Sequence, residues 1–152
     1  KTLIREGGAT LTDDPVDRGG LTRYGISQRA FPDEDIRNLT EARARQIYRD
    51  HYWEPMQCGK IASDNVAENL FDTAVNMGVR TASRLAQLAL DMNPDGIIGP
   101  ITLRAINETA KSQFLASYAL TKIARYAHIC KRDPSQKRFL LGWINRALGD
   151  MT

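Results

Sequence analysis

Residues 64–78 read DNVAENLFDTAVNMG, and this stretch predicts the helix around which the fold is built. Its apolar residues recur at helical spacing and cover enough of the circumference to predict a deeply buried central helix. Asp64 is the predicted N-cap, and Gly78 ends the helix because glycine reaches backbone angles that other residues avoid. The predicted core residues of this helix are Val66, Ala67, Leu70, Phe71, Ala74, Val75 and Met77.

Helical patterns on both sides of this stretch predict a mainly α chain. Thr40 is the predicted N-cap of a preceding helix, whose apolar stripe continues to Trp53. No alternating β-branched run of useful length follows Ser27, so we expect a mainly α fold with a small loop or hairpin lobe near the N-terminus. Further helices are predicted over residues 81–92, 100–106, 112–131 and from about 134 onwards.

Composition is typical of a soluble globular protein. The 152 residues suffice for one domain, 42% are hydrophobic and 26% charged, and no apolar run reaches the length of a membrane helix, about 18 residues. The net charge of +3 suits an anionic polymer as partner, whereas scattered lysines and arginines do not indicate nucleic acid. Cys58 and Cys130, without a CxxC pattern, are expected to be buried thiols. We expect a monomer with no metal, cofactor or stable membrane insertion, and any export segment upstream of Lys1.

The segment LIREGG, residues 3–8, carries the first candidate catalytic group. A short run that halts at two consecutive glycines is typical of the last turn of a helix, which would place Glu6 at the negative end. That position, together with burial in a cleft wall, would raise the pKa of the carboxyl toward the range of a general acid. Glu6 is therefore the candidate proton donor, and the alternative is a solvated glutamate on a helix end.

A polar, turn-rich loop follows, with the sequence DDPVDRGGLTRYGIS at residues 13–27. Loops can aim side chains at a ligand from a rigid scaffold, and this one supplies Asp14, Asp17 and Thr22. Glycoside hydrolysis needs one group that protonates the leaving oxygen and a second that orients water or stabilises positive charge. Glu6 fits the first role and a residue of this loop the second, while the alternative for each aspartate is a turn-capping hydrogen bond.

These motifs resemble glycoside hydrolase family 108, the phage endolysins and bacterial secretion-activator muramidases. The resemblance rests on Glu6-Gly7-Gly8 and on the loop from Asp14 to Ser27. It extends over nearly the whole chain through IYRDHYW (47–53), FDTAVNMG (71–78), DGIIGPITL (95–103) and GWINR (142–146). It implies a lysozyme-like helical fold and cleavage after N-acetylmuramic acid in peptidoglycan, with Glu6 as catalytic acid. Ala9 departs from the family, which usually has an aromatic residue there, and this would remove a subsite contact.

The order of the candidate residues also resembles that of the phage lysozymes, whose pattern is E-x8-D-x5-T. Here seven residues separate Glu6 from Asp14 and seven separate Asp14 from Thr22, so the order matches and the spacing does not. The partner of Glu6 stays open among Asp14, Thr22 and Asp17, with Asp14 and Thr22 ranked first. A hydroxyl that holds a nucleophilic water would favour inversion, whereas a close second carboxylate would favour a covalent intermediate and retention.

Four residues are candidate substrate contacts. Tyr24 and Gly25 lie in the loop, where a flat ring can stack on a pyranose. Tyr52 lies on a predicted helix, where an aromatic residue more often belongs to the core. Asn76, polar near the end of an apolar helix, suits an acetamido group of the substrate or, equally, a buried backbone group.

The stretch DMNPDGIIGPIT, residues 91–102, has three interpretations. Its first half mimics an EF-hand calcium loop, but Thr102 takes the place of the bidentate glutamate at the twelfth position. From Asp95 onwards it resembles the turn of peptidoglycan-binding modules, and it is also typical of a simple helix-to-helix turn. The resemblance predicts one lysozyme-like domain over 1–152, with a catalytic lobe at 1–90 and a helical, peptidoglycan-binding-like lobe at 91–152.

The leading hypothesis is an endolysin N-acetylmuramidase, a lysozyme that hydrolyses the β-1,4 bond between N-acetylmuramic acid and N-acetylglucosamine. It would be made in the host cytoplasm and act in the periplasm or cell-wall space after export or membrane release. The alternative is a non-catalytic peptidoglycan-binding module with a degenerate site, suggested by Ala9 and by the turn at Asp95. A third hypothesis, a helical nucleic-acid binder rich in arginine, predicts salt-sensitive DNA affinity.

Overall fold

The computed structural model describes residues 8–13 and 20–149. Three candidate catalytic residues, Glu6, Asp14 and Asp17, lie outside the described residues. The chain divides into two compact units, Lys1–His51 and Tyr52–Thr152. Six α-helices and one two-stranded sheet occur in the described residues, which confirms the mainly α fold with a small hairpin near the N-terminus. The division at residue 90 into a catalytic and a wall-binding lobe stays a prediction.

The described elements are one hairpin, six α-helices and three short helical turns. The hairpin consists of β1 (Thr22–Arg23) and β2 (Ile26–Ser27), which pair antiparallel. The helices are α1 (Glu41–Tyr48), α2 (Asp64–Met77), α3 (Val79–Ala89), α4 (Pro100–Glu108), α5 (Lys111–Arg132) and α6 (Lys137–Gly149). A π-helical turn follows α1 (Arg49–Trp53), and 3-10 turns lie at Cys58–Lys60 and Pro134–Gln136.

In the first unit, α1 begins where the sequence predicts and ends early. The hydroxyl oxygen of Thr40 caps the helix by accepting a hydrogen bond from the backbone nitrogen of Arg43 at 3.2 Å. The prediction of an α-helix through Trp53 is wrong beyond Tyr48, because the backbone then adopts the wider π-helical hydrogen-bond spacing. Among residues 8–13 and 20–51, the buried aliphatic side chains are Ile26, Ile36, Leu39, Ala44 and Ile47.

In the second unit, α2 is the central helix. It packs against α3 and α5, and its buried face belongs to one hydrophobic cluster with residues of α3, α4 and α5. Ser63 occupies the N-cap position instead of Asp64, because Asp64 already has helical geometry and lies in the first turn, where a carboxylate favours the positive helix end. Gly78 ends α2 as predicted, with a φ of 88°, and α3 begins at the next residue. The cluster comprises Met56, Cys58, Ile61, Val66, Ala67, Leu70, Ala74, Ala82, Leu85, Ala86, Ile98, Ile106, Phe114, Leu115 and Tyr118.

The later helices lie close to their predicted bounds. α3 ends at Ala89 and not at residue 92, because the chain turns there and Asp91 adopts a left-handed φ of 57°. Pro100 opens α4 as predicted, where its missing N–H leaves no hydrogen bond unmade. Within residues 8–13 and 20–149, no helix has both the length and the apolar character needed to cross a membrane.

A lysine side chain lies buried between α5 and α2. Lys122 is 2% exposed, and its Nζ donates to Asn69 Oδ1 at 3.0 Å and lies 3.5 Å from Thr73 Oγ1. It also lies 4.8 Å from the centre of the Tyr118 ring, whose face attracts a cation. Because a buried charge is costly without such partners, this cluster fixes the position of α5 against α2.

Asn69→Leu removes the oxygen that accepts the Lys122 proton and keeps a side chain of similar size. We expect the free energy of unfolding to fall by about 2 kcal/mol, because hydrogen bonds to charged groups contribute about 1.5–3 kcal/mol. Urea unfolding followed by circular dichroism measures this loss. Asn145→Leu on the exposed face of α6 is the control, with an expected change below about 0.5 kcal/mol. Equal losses in both variants would contradict the role given to Asn69.

Candidate active site

The hairpin reverses direction at Tyr24 and Gly25, which both have left-handed backbone angles. Their φ values are 53° and 75°, and Thr22 and Ser27 face each other across the strands. Two left-handed residues in a two-residue loop form a type I′ turn, whose twist matches that of the strands. Glycine adopts this geometry at little cost and tyrosine does not, so the turn holds Tyr24 in a strained conformation.

Two hydrogen bonds hold the backbone of Tyr24. Its N–H donates to the carbonyl of Gly8 at 2.8 Å, and its carbonyl accepts the hydroxyl proton of Tyr48 at 2.7 Å. Tyr48 is buried at the end of α1, so the turn is anchored to a helix. Strained residues persist only where their surroundings fix them, and they cluster at binding and catalytic sites.

The segment 8–12, which begins two residues after the candidate acid, is tied to the same hairpin. Thr12 and Thr22 exchange backbone hydrogen bonds of 2.9 and 2.8 Å, so the segment runs alongside β1. The Nε of Arg23 donates to the carbonyl of Ala9 at 3.0 Å. These contacts fix the backbone that follows Glu6 in the sequence relative to the hairpin.

Thr22 offers an oxygen that can bind water. Its half-buried hydroxyl donates to the carbonyl of Gly20 at 3.0 Å. Because the proton is committed to a backbone carbonyl, the lone pairs of the oxygen remain available to accept a hydrogen bond. This arrangement suits a residue that positions a nucleophilic water.

The structure brings three of the predicted site residues together. Thr22, Tyr24 and Gly25 lie on the hairpin, and the guanidinium of Arg23 lies 5.6 Å from the centre of the Tyr24 ring. The ring of Tyr24 is half-buried and Gly25 is exposed. A flat ring beside an exposed glycine is an arrangement that can accept the apolar face of a sugar.

Two predicted substrate contacts lie in the second unit. Tyr52 packs against the hydrophobic cluster, in line with the core alternative for this residue. Asn76 is exposed one residue before the end of α2. Contact with substrate stays a prediction for both residues.

Sequence reasoning missed the two side chains that brace the turn. The first is Arg23, whose guanidinium donates to the carbonyl of Ala9 and, through its Nη1, to the carbonyl of Arg37 at 2.9 Å. The helical stripe of α1 predicts a buried Tyr48 ring, but the acceptor of its hydroxyl lies 24 residues earlier in the sequence. No local pattern indicates either contact, because each depends on how distant segments fold together.

In the second unit, the buried side chain of Gln87 holds the turn between α3 and α4. Its Nε2 donates to Asp95 Oδ1 at 2.7 Å and to the carbonyl of Ile97 at 3.0 Å, and lies 3.2 Å from Thr102 Oγ1. Its Oε1 accepts the backbone N–H of Gly96 at 2.9 Å. One side chain of α3 therefore contacts both ends of the stretch DGIIGPIT, at residues 95–97 and at Thr102.

The carboxylate of Asp95 belongs to this turn. Its Oδ1 accepts from Gln87 and also from the backbone N–H of Ile97 at 2.9 Å. The hydrogen bond from Gln87, followed by that from Ile97, lowers the pKa of the Asp95 carboxyl. In the part of the chain that the structure describes, no group of three His, Cys, Asp or Glu residues could hold a metal ion. The hydrogen bonds of Asp95 to Gln87 and Ile97 fit a helix-to-helix turn better than a calcium loop, in which the carboxylate would face the ion.

Cys58 and Cys130 are free, buried thiols, as expected. Burial raises the pKa of Cys58 to about 12, with a smaller contribution from Glu54, and its thiol points to the carbonyl of Ala67 at 3.5 Å. A thiol with this pKa is protonated at neutral pH. Cys58 therefore offers no nucleophile for catalysis.

Comparison with known proteins assigns a family to both parts of the chain. Residues 1–78 match the family described as Glycosyl hydrolase 108, and residues 74–148 match the family described as Predicted Peptidoglycan domain. Among solved structures, SagA from Brucella abortus has a similar fold, with a TM-score of 0.80 and 25% sequence identity over 99% of this chain and 87% of that chain. No curated protein matches this chain.

The chain belongs to the glycosyl hydrolase 108 family, since the match covers more than half of its length. This confirms the resemblance and the lysozyme-like fold that it implies. The first match contains Glu6, Asp14, Asp17 and Thr22, and the second contains the turn that Gln87 holds. The two matches together indicate a glycosyl hydrolase that acts on peptidoglycan.

Gly25→Ala places a Cβ on a left-handed residue of the hairpin turn. We expect the free energy of unfolding to fall by about 1–2 kcal/mol, the cost of this conformation for an L-residue. Gly25→Asn is the matched variant, since asparagine tolerates the left-handed region and should lose less. Denaturant unfolding of both variants makes the comparison. If asparagine and alanine destabilise equally, backbone strain is not the cause.

Asp95→Asn tests the second turn through its pH dependence. The folded-state pKa of Asp95 lies below the unfolded value, so the folded protein binds fewer protons and the ionised carboxyl contributes stability above the unfolded pKa. That contribution is lost as the pH falls through the folded-state pKa. The difference in melting temperature between the parent and Asp95→Asn should therefore shrink from about pH 6 to about pH 2.5. Asp91→Asn controls for the loss of one charge from the same turn, and a pH-independent difference at Asp95 would contradict the assignment.

Proposed function

We propose that this glycosyl hydrolase 108 family member is a muramidase that hydrolyses the β-1,4 bond between N-acetylmuramic acid and N-acetylglucosamine in peptidoglycan. Glu6 is the general acid that protonates the leaving oxygen. The hairpin carries the proposal: strained Tyr24 binds the carbonyl of Gly8, two residues after Glu6, and Thr22 lies on the adjoining strand. The family match over residues 1–78 supports the same assignment.

The second catalytic group is one of Thr22, Asp14 and Asp17. The hydroxyl of Thr22 favours the water-binding role, because its proton is donated to Gly20 and its lone pairs are available. Attack by a water held at Thr22 inverts the anomeric configuration, whereas attack by an aspartate carboxylate retains it. The anomer first released from a defined oligosaccharide, observed by NMR, distinguishes the two routes.

Four residues have groups that are suited to the sugar. The ring of Tyr24 presents a flat apolar surface, and Gly25, without a side chain, allows close approach to the backbone. The exposed amide of Asn76 can donate to and accept from an acetamido group. Tyr52, which is partly buried against the hydrophobic cluster, is assigned a supporting role at the substrate.

The proposed setting is the bacterial wall. An endolysin or secretion-activator enzyme of this kind is made in the host cytoplasm and acts in the periplasm or cell-wall space after export or membrane release. The peptidoglycan-domain match over residues 74–148 supports an enzyme that is held on its polymeric substrate. A mild positive charge of +3 also favours association with an anionic polymer.

A second candidate function is a peptidoglycan-binding protein with a degenerate active site. Ala9 favours it, because this exposed position carries an aromatic residue in the resembled family and here contributes only its carbonyl to Arg23. This candidate predicts retention on insoluble peptidoglycan without release of new reducing ends. The muramidase proposal predicts retention on insoluble peptidoglycan together with release of new reducing ends.

Glu6→Gln keeps the shape of the side chain and removes the transferable proton. We expect the rate of reducing-end release from purified peptidoglycan to fall at least about 100-fold, since general acid catalysis contributes about 10²–10⁴-fold. Glu108→Gln, the same change at an exposed position near the end of α4, is the control and should stay within about twofold of the parent.

The products decide between the candidate activities. Mass spectrometry of the muropeptides should show muramic acid at the reducing end. A reducing glucosamine end would indicate a glucosaminidase, and an anhydro end a lytic transglycosylase. Full activity in Glu6→Gln would remove Glu6 as the acid, and binding by the parent without any cleavage would favour the second candidate.

A further inference from the structure

The exposed face of α3 carries a row of long side chains beside the turn at Asp95. Arg80, Arg84 and Leu88 are four residues apart, and all three are exposed. Residues at this spacing lie on one side of a helix. The two guanidinium groups therefore share one surface, although like charges at this spacing disfavour the helix.

Gly96 brings both arginines against the turn. A Cβ at Gly96 would lie 2.9 Å from Arg80 Cγ and 3.2 Å from Arg84 Cγ, so only glycine lets both stems rest on the turn. The φ of Gly96, 84°, also favours glycine. The stems of Arg80 and Arg84 are thereby held by packing while their charged ends remain exposed.

The turn after α3 and the start of α4 also present aliphatic side chains to solvent. Ile97 is 67% exposed and Ile101 is 77% exposed, whereas Ile98 between them is buried. Ile97 cannot turn inwards easily, because its N–H donates to Asp95 and its carbonyl accepts from Gln87. The turn thus holds the backbone of an exposed apolar residue, Ile97, directly after Gly96, the residue on which both arginine stems rest.

The charges of Arg80 and Arg84 are available for a ligand. Neither forms a salt bridge with another residue of the ranges 8–13 and 20–149. The neighbouring carboxylate, Asp95, is engaged by Gln87 and Ile97, and Arg80 makes only the smallest contribution to lowering its pKa. This surface combines two cations with exposed aliphatic groups, and it lies within the peptidoglycan-domain match.

We propose that Arg80 and Arg84, together with Ile97, bind the stem peptides of peptidoglycan through their free carboxylates. Guanidinium groups pair with carboxylates through two parallel hydrogen bonds, whereas the hydroxyls of the glycan strand carry no charge. Ile97 contacts the aliphatic part of the peptide. The inference rests on the proposed action at the wall, and it assigns the peptide, not the sugar chain, to this part of the molecule.

The test is a binding titration with purified sacculi that lack teichoic acid, so that phosphate is absent and carboxylates are the anions presented. Arg80→Gln/Arg84→Gln removes both charges and keeps the Cβ and Cγ atoms that rest on Gly96. Lys131→Gln/Arg132→Gln, at the exposed end of α5, removes the same charge elsewhere in the second unit. Thermal unfolding confirms that both double variants are folded.

We expect the first double variant to bind sacculi about tenfold more weakly than the parent and the control to stay within about twofold. Sacculi whose carboxylates have been converted to amides should bind the parent about tenfold more weakly and no longer distinguish it from the first variant. Equal binding of parent and first variant, or undiminished binding to amidated sacculi, would overturn the inference.

Reducing-end release in the same samples separates this inference from the proposed function. If the parent cleaves sacculi and Arg80→Gln/Arg84→Gln binds them as tightly as the parent does, the peptide site is overturned and the muramidase assignment stands. Parent protein that neither binds nor cleaves overturns both. Binding that depends on the two arginines, without cleavage, supports the peptide site and removes the muramidase.

Discussion

The first unit depends on one strained residue, Tyr24, and on the two hydrogen bonds that hold it. A left-handed tyrosine is costly alone, and it is stable here because its N–H reaches Gly8 and its carbonyl is bound by Tyr48. The two bonds connect three distant segments: the stretch that follows Glu6, the hairpin and helix α1. A turn that is held from both sides in this way keeps the hairpin in one position relative to the segment after Glu6 and to helix α1.

The second unit uses Gln87 in a comparable way. The turn between α3 and α4 has no regular secondary structure, and the buried amide of Gln87 forms hydrogen bonds with its Asp95, Gly96 and Ile97 instead. A loop of this composition exposes its peptide groups unless a side chain satisfies them. The aspartate, glycine and threonine of the turn thereby acquire structural roles, whereas the side chain of Ile97 stays exposed to solvent.

Local physical signals predicted most of the fold, and contacts between distant segments account for the rest. Thr40, Gly78 and Pro100 act where the sequence indicates because caps and stops depend on a few neighbouring residues. The π-helical end of α1, the Ser63 cap and the start of α3 at Val79 were outside the reach of such patterns. Thr22, Tyr24 and Gly25 were recognisable as site candidates from turn composition, and the family match covers Glu6. The bracing by Arg23 and Tyr48 could not be predicted, because it depends on tertiary geometry.

The two family matches overlap at residues 74–78, which form the last turn of α2 and the glycine that ends it. The boundary suggested by the family matches therefore falls at the end of the central helix α2, whose buried face contacts α3 and α5, whereas the chain divides into its two compact units between His51 and Tyr52. If the chain were divided near Gly78 and the fragments separated, α2 would lose its contacts with α3 and α5, and apolar surface would be exposed on both fragments. The regions covered by the two family matches therefore share one helix, and a chimaera that exchanges either region needs its junction in the connector before α2 or must keep that helix.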